Sequence, residues 1–261
     1  MRLYLAESGN LYKRIFRVHE AATGKNLFEG KSFLHSFYYA DSFVEEKMIP
    51  YAESFLLDSG AFTFMQNAWK GGDWLDYQNK YIQFIRRNNV KLFFELDLDS
   101  VIGYDRVLEM RKRLEDGTGR QCIPVWHKSR GKEEWLRMCE EYDYVAIGGI
   151  VTGEFARKDH RLFHWFLNEA HKRGTRVHGL GFTHLSKLHE YAFDSVDSSS
   201  WSTGNRFGHY YRFDGKSLAV FKRPAGKRIA DHDALAYNNF VEWAKYQQYM
   251  ETPRREGRSL I

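Results

Sequence analysis

Several carboxylates in this chain fall where an apolar run gives way to a loop. Asp58 closes Phe55-Leu56-Leu57 and is followed by Ser59-Gly60. Glu95, Asp97 and Asp99 alternate with Phe94, Leu96 and Leu98. Read as a strand, period two puts these three acids on one face and the apolar residues on the other. Acids turned toward a barrel interior are costly unless they are used or paired. Asp194 and Asp197, three apart, would point to opposite faces of one strand, so only one of them can enter a site. Asp197 precedes the polar run Ser198-Ser199-Ser200 and lies nearer the strand end, which leaves Asp194 to cap or pair at the rim. A carboxylate can act as a nucleophile, and a second carboxyl in an apolar pocket can carry a proton. The run Tyr144-Val145-Ala146-Ile147 ends in Gly148-Gly149, where a ligand could approach the backbone closely.

These residues need a frame that gathers strand ends. Short apolar runs alternate with amphipathic stretches, the pattern of βα units. Eight strands are expected, over Arg2–Ala6, Phe33–Phe37, Phe55–Asp58, Lys91–Asp97, Cys122–Trp126, Tyr144–Gly148, Arg176–Leu180 and Ser195–Ser198. Eight is the number a closed (β/α)8 TIM-type barrel requires, and an open doubly wound sheet is the alternative. Trp74, Tyr77, Tyr81 and Ile85 share one helical face, as do Trp135, Cys139 and Tyr142, and Phe163, Phe166, Leu167 and Ala170. Gly174 after Lys172-Arg173 marks a helix stop. A last helix over about Asp233–Met250 carries Ala236, Phe240, Trp243 and Gln247 on one side. Four prolines and no low-complexity stretch indicate a single α/β domain over 1–261, with the barrel in about 1–210 and a basic segment in 211–261.

The net charge of +5 is carried by residues 201–261, which hold 11 Lys and Arg against 6 Asp and Glu; the first 200 residues hold 28 of each. Arg206, Arg212, Lys222, Arg223, Lys227 and Arg228, with Arg254, Arg255 and Arg258, form a candidate phosphate-binding surface, or else a solvated face. The aromatic run Phe207-Gly208-His209-Tyr210-Tyr211 suits either base stacking or core packing. No run of eighteen apolar residues and no signal-peptide core is present, so no membrane contact and a cytoplasmic location (the host cytoplasm if phage-encoded) are expected. Cys122 and Cys139 cannot build a disulfide framework.

The motifs resemble those of the tRNA-guanine transglycosylases. Leu57-Asp58-Ser59-Gly60-Ala61-Phe62 resembles their DSGGF/Y motif, and Ala146 to Glu154 their GGLAVGE segment. Val196-Asp197, with Gly204-Asn205-Arg206-Phe207-Gly208 downstream, resembles their FDCVLPTRSGRNG block. Phe94-Glu95-Leu96-Asp97 loosely matches their AFDE stretch, and Leu34-His35-Ser36-Phe37-Tyr38 their NTYHL strand; the likeness spans about residues 30–210. It implies exchange of guanine in a polynucleotide for a 7-deazaguanine of the preQ0 or preQ1 type. Asp197 would be the nucleophile and Asp58 the acid/base. Asp97 would read the edge of the base, Gly148 and Gly149 would offer N–H groups to its carbonyl, and Ser59 would belong to the same pocket. The family's glutamine strand end is replaced here by Pro124-Val125-Trp126-His127, so Trp126 or His127 would contact the base.

No cysteine lies beyond Cys139, so the family's C-terminal three-Cys, one-His zinc cluster cannot form. The chain is therefore most similar to short, zinc-free phage and bacterial members that modify DNA. The resemblance implies no metal and no cofactor, and DNA rather than tRNA as partner. Trp126, Trp201 or Tyr210 would flank the space a flipped base vacates. A tRNA enzyme, or a nucleoside or glycoside hydrolase on the same barrel, are the competing readings. Other signals are set aside. His160 and His164 lack an HExxH frame, Asp214-Gly215-Lys216-Ser217 has Tyr210 where a P-loop needs glycine, and Gly179-Leu180-Gly181 lacks a third glycine.

Overall fold

The computed structural model describes residues 1–7, 10–68, 73–182, 188–223, 226 and 228–252. Eight parallel strands, β1 (Arg2–Ala6), β2 (Ser32–Ser36), β3 (Ser54–Asp58), β4 (Leu92–Phe93), β5 (Val125–Trp126), β6 (Tyr144–Ile147), β7 (Arg176–Gly179) and β8 (Ser195–Ser198), run in the order β4-β3-β2-β1-β8-β7-β6-β5. A parallel bridge between Phe94 and Ile123 joins the two ends, through Glu95 N–H to the Ile123 carbonyl (3.1 Å) and Ile123 N–H to the Phe93 carbonyl (2.8 Å). The ring is thus a (β/α)8 barrel, and all eight expected strands are present. β5 is short because Pro124 has no N–H to give to the ladder. β4 stops at Phe93, so the strand expected through Asp97 is not formed.

Alternation along the strands fills two cores. Tyr4, Leu34, Leu56, Phe94, Ile123, Val125, Tyr144 and Ala146 pack inside the ring. Their outward neighbours Leu3, Leu57, Phe93, Val145 and Val196 meet the helices. Each such side chain contributes about 1.5–3 kcal/mol when fully buried. The helices are α1 (Leu11–Thr23), α2 (Ala61–Ala68), α3 (Trp74–Arg87), α4 (Asp99–Ile102), α5 (Tyr104–Thr118), α6 (Gly131–Glu141), α7 (Phe163–Lys172), α8 (Ser200–Phe207) and α9 (His232–Glu251). The expected faces hold: α3 buries Tyr77, Tyr81 and Ile85, and α7 buries Phe163, Phe166, Leu167 and Ala170.

A hairpin of β9 (His209–Phe213) and β10 (Leu218–Lys222) follows α8. Asp231 caps α9 by accepting the N–H groups of Asp233 and Ala234. On α9, Asn239 and Glu242 accept the N–H groups of Tyr211 (3.1 Å) and Phe213 (2.7 Å), which docks the hairpin. Gln247 reaches β1 and β2 through the carbonyls of Leu3 (2.5 Å) and Ser32 (2.7 Å), near the N-terminal ends of those strands. The start of α9 lies at the opposite end: Arg14, in the first turn of α1 as it leaves β1, pairs with Asp233. Among the described residues no helix is long and apolar enough to cross a membrane.

Candidate active site

β3 aims Ser54, Leu56 and Asp58 inward, and Asp58 stands at its C-terminal end. The turn that follows requires glycine. Gly60 has φ of +69°, and a Cβ there would lie 2.7 Å from Tyr38 Cβ and 2.8 Å from the Tyr38 amide nitrogen. The Gly60 N–H donates to Asp58 Oδ2 (3.2 Å). Burial pushes the Asp58 carboxyl up to about 6; the Gly60 N–H and the Ser36 hydroxyl oppose the rise, and the charges of Asp197 and Asp97 add to it. Ser59 is buried, its carbonyl accepting the Tyr77 hydroxyl (2.6 Å) and its hydroxyl accepting the Ala61 N–H (3.4 Å). Its side chain therefore serves the turn.

β8 turns Ser195 and Asp197 into the barrel, with Val196 in the outer core. Asp197 Oδ1 accepts the Gly181 N–H (2.6 Å) and lies 3.2 Å from His178 Nε2. Its Oδ2 makes no hydrogen bond among the described residues. Asp194 sits before β8, at the other end of the barrel, where Oδ2 binds the Val177 N–H (2.7 Å) and His171 Nε2 (2.9 Å). It is the rim residue that the spacing predicts.

The acids after β4 have separate fates, which corrects the expectation of three on one inward face. The strand ends before them, so period two does not apply. Phe94 enters the barrel, whereas Glu95 is fully buried and neutralised by Arg111 of α5 (2.7 Å), with Arg130 at 3.7 Å. Asp99 begins α4 and holds Arg130 (3.0 Å). Asp97 alone joins the mouth. Its Oδ2 contacts His127 Nε2 (2.7 Å), and its Oδ1 is buried without a hydrogen-bond partner among the described residues, 3.6 Å from Arg130.

His127 Nδ1 in turn meets Glu154 Oε1 (2.9 Å). Burial lowers the His127 pKa, but the Asp97 and Glu154 carboxylates outweigh it and hold the ring up at about 9. At neutral pH it is an imidazolium that donates to both acids. Of the two candidates left open by the sequence, His127 is therefore the one at the mouth. Trp126 is corrected: it faces outward, packed on Phe166 (4.5 Å) and Trp135 (5.4 Å), with its indole N–H on the Gly131 carbonyl.

The Gly148 N–H is likewise spent, on the Trp126 carbonyl (2.9 Å), so it cannot face a base. A side chain at Gly148 would strike His127, with Cε1 at 2.9 Å, and one at Gly149 would strike Glu154, with Cδ at 2.6 Å. These glycines make room for the acid–histidine pair.

Asp97, Asp99 and His127 are a group whose ligand atoms lie within 4.8 Å of one another. Arg130 and protonated His127 already occupy that negative charge, so the donor set is poorly suited to a divalent ion. Turnover is accordingly expected to survive dialysis against a chelator; loss with recovery on adding zinc or magnesium would contradict this. His160 is buried against Phe163 and Phe182, as a core histidine.

The basic surface lies on the side of the mouth. Arg223 and Arg228 line, with Phe207, Gly208, Ile229 and His232, a hollow of about 460 Å³ beside the start of α9. Arg212 and Lys222 are exposed on the hairpin. The Arg206 side chain, Lys227, Arg254, Arg255 and Arg258 lie outside the described residues. The aromatic run divides: Tyr211 is core, Phe207 is 70% exposed, and Tyr210 stacks on Phe221 at 4.8 Å. Trp201 is corrected from a base-flanking candidate, being fully buried against Tyr12 and Phe240.

Sequence reasoning did not single out His178 or Arg130. Their signals were weak: a histidine within a buried strand, and an arginine 31 residues from Asp99, the acid it holds.

No protein-family model matches the chain, and no curated protein does. Among solved structures, a protein described as a fructose-1,6-biphosphate aldolase from Coccidioides immitis superposes with a TM-score of 0.53 at 12% identity, covering 96% of this chain and 89% of its own. The carboxyl transferase domain of Rhizobium etli pyruvate carboxylase gives 0.46 at 13%, covering 95% and 48%. A 3-hexulose-6-phosphate synthase gives 0.41 at 9%, covering 93% and 99%. At 12% identity, the likeness to the first of these is one of barrel fold.

Proposed function

We propose that this chain is an enzyme, a base-exchange transglycosylase that replaces guanine in a polynucleotide, DNA in preference to tRNA, with a 7-deazaguanine of the preQ0 or preQ1 type. The observation that carries this reading is the pair at the mouth: Asp197, with one oxygen held by two nitrogen atoms and the other without a hydrogen bond among the described residues, and Asp58, which feels the charge of Asp197 and is held near 6. Asp197 Oδ2 attacks C1′ of the nucleotide, and the C1′–base bond breaks as Asp58 gives its proton to the departing guanine. The incoming base then returns a proton to Asp58 and displaces Asp197 from C1′, so the sugar keeps its configuration. No cofactor enters this cycle. Asp97 Oδ1, a buried acceptor that makes no hydrogen bond among the described residues and has Arg130 at 3.6 Å, suits the N1–H and 2-amino group that guanine and its 7-deaza analogues share.

A guanine inside a duplex must leave the stack first, at a cost of a few kcal/mol. Arg212, Lys222, Arg223 and Arg228 would hold the flanking phosphates, and exposed Phe207 offers an unpaired base a stacking face. The decisive experiment offers labelled guanine or preQ0 with matched DNA and tRNA. Label entering DNA without strand loss supports the reading, exchange into tRNA alone overturns the choice of polymer, and release of free base without incorporation identifies a hydrolase. Arg223→Glu with Arg228→Glu is expected to raise KM for DNA and flatten its salt dependence by about one unit of slope per residue, with kcat unchanged. A lowered kcat at unchanged KM would remove the patch from the substrate path.

A further inference from the structure

We infer that His178, backed by Ser195 and Tyr144, is a positioning residue that fixes which oxygen of Asp197 is free to attack. This inference rests on the proposed role of Asp197. His178 is fully buried, so no bulk water can serve its ring. Nε2 lies 3.2 Å from Asp197 Oδ1, and Nδ1 lies 2.5 Å from Ser195 Oγ. The Ser195 hydroxyl in turn bonds the Tyr144 hydroxyl. The three residues come from neighbouring strands β6, β7 and β8, whose register pairs Ala146 with His178 and His178 with Ser195.

Only one direction of donation satisfies every member of a neutral chain. Burial pushes the Tyr144 phenol up, so it keeps its proton and donates to Ser195 Oγ. Ser195 has one proton, which goes to His178 Nδ1. Nε2 must then carry the ring proton and donate it to Asp197 Oδ1, since a carboxylate only accepts. With Gly181 N–H on the same atom, Oδ1 is doubly held and Oδ2 is left open. Without Ser195 the Nδ1–H tautomer becomes available, and it would set a nitrogen lone pair against Asp197. The other groups around this chain are Tyr4 and Phe94 against the His178 ring at 6.0 and 5.4 Å, Arg176 over the Tyr144 ring at 4.5 Å, and Asp58, which feels the charge of Asp197.

The test uses the full chain in four variants: Ser195→Ala, Tyr144→Phe, His178→Gln and His178→Leu. Adduct formation with guanine-containing DNA is followed in a single turnover across pH. Nitrogen-15 NMR of labelled histidine reads the tautomer of His178. The wild type should show the Nε2–H form and Ser195→Ala a mixture. Ser195→Ala and His178→Leu should slow adduct formation by roughly 10²-fold, the scale of a misplaced reacting group, with unchanged DNA binding. His178→Gln, whose amide donates to Asp197 and accepts from Ser195, should recover most of the rate. Tyr144→Phe should fall between. A wild-type rate and tautomer in Ser195→Ala would overturn the relay. Equal loss in His178→Gln and His178→Leu would reduce His178 to packing. If the wild type forms no adduct, the transglycosylase reading fails, and the tautomer spectra alone decide whether the relay exists.

Discussion

Asp197→Asn is expected to lose base exchange and the trapped enzyme–polynucleotide adduct together, while Asp194→Asn retains both. An amide oxygen is a very poor nucleophile, and loss of a covalent nucleophile costs about 10⁴-fold or more in rate. The Asn variant should still fold, because its Oδ1 can accept the Gly181 and His178 donors that Asp197 Oδ1 accepts now. Asp194 is three residues away but at the opposite end of the barrel, tied to Val177 and His171. Its replacement should cost about 1 kcal/mol of stability and leave the chemistry untouched. A denaturing gel with labelled DNA reads the adduct directly. An adduct that survives in Asp197→Asn and disappears in Asp194→Asn would contradict the assignment.

Asp58→Asn should cut exchange by about 10²–10⁴-fold and also stabilise the protein near neutral pH. In the wild type the Asp58 carboxyl titrates at about 6, so its power to protonate the leaving base falls as pH rises through that value. The variant should lack this limb. The stability change follows from linkage. A carboxyl raised above its unfolded value of 3.8 binds its proton more tightly when folded. That stabilisation is fully present below about pH 3.8 and is lost as pH rises to about 6; above this, holding the ionised group costs about 1–3 kcal/mol. Asparagine carries no such charge and still accepts the Gly60 N–H. Thermal unfolding should therefore favour the variant by several degrees at pH 7.5, with the gap closing toward pH 3.5. Equal Tm at both pH values, or full activity across the working range, would remove Asp58 from the proton-transfer role.

The barrel was legible in the chain because it is written locally. Arg2–Ala6 and Ser195–Ser198 coincide with β1 and β8, and every other expected strand overlaps an observed one. Each apolar run ends at a polar turn, and side chains alternate along a strand, so an acid that closes a run, as Asp58 does, is delivered to the mouth. Asp58 and Asp197 were found this way, and Asp194 was set apart from Asp197 by the same parity. Local pattern ceases to inform where the strand ceases. β4 stops at Phe93, so the alternation of Glu95, Asp97 and Asp99 no longer fixes their directions. Tertiary contacts decide instead, as Arg111 takes Glu95, Arg130 takes Asp99, and Asp97 goes to His127. At the end of β5 the sequence offered Trp126 and His127 equally. The apolar ring is drawn into the outer core by Phe166 and Trp135, and the neighbouring imidazole is left to two carboxylates. His178 carries no spacing signal at all, because its partners Asp197, Ser195 and Tyr144 lie 19, 17 and 34 residues away. Only the parallel pairing and register of β6, β7 and β8 bring these side chains together, and the energy of a buried hydrogen bond depends on distances that no one-dimensional pattern encodes.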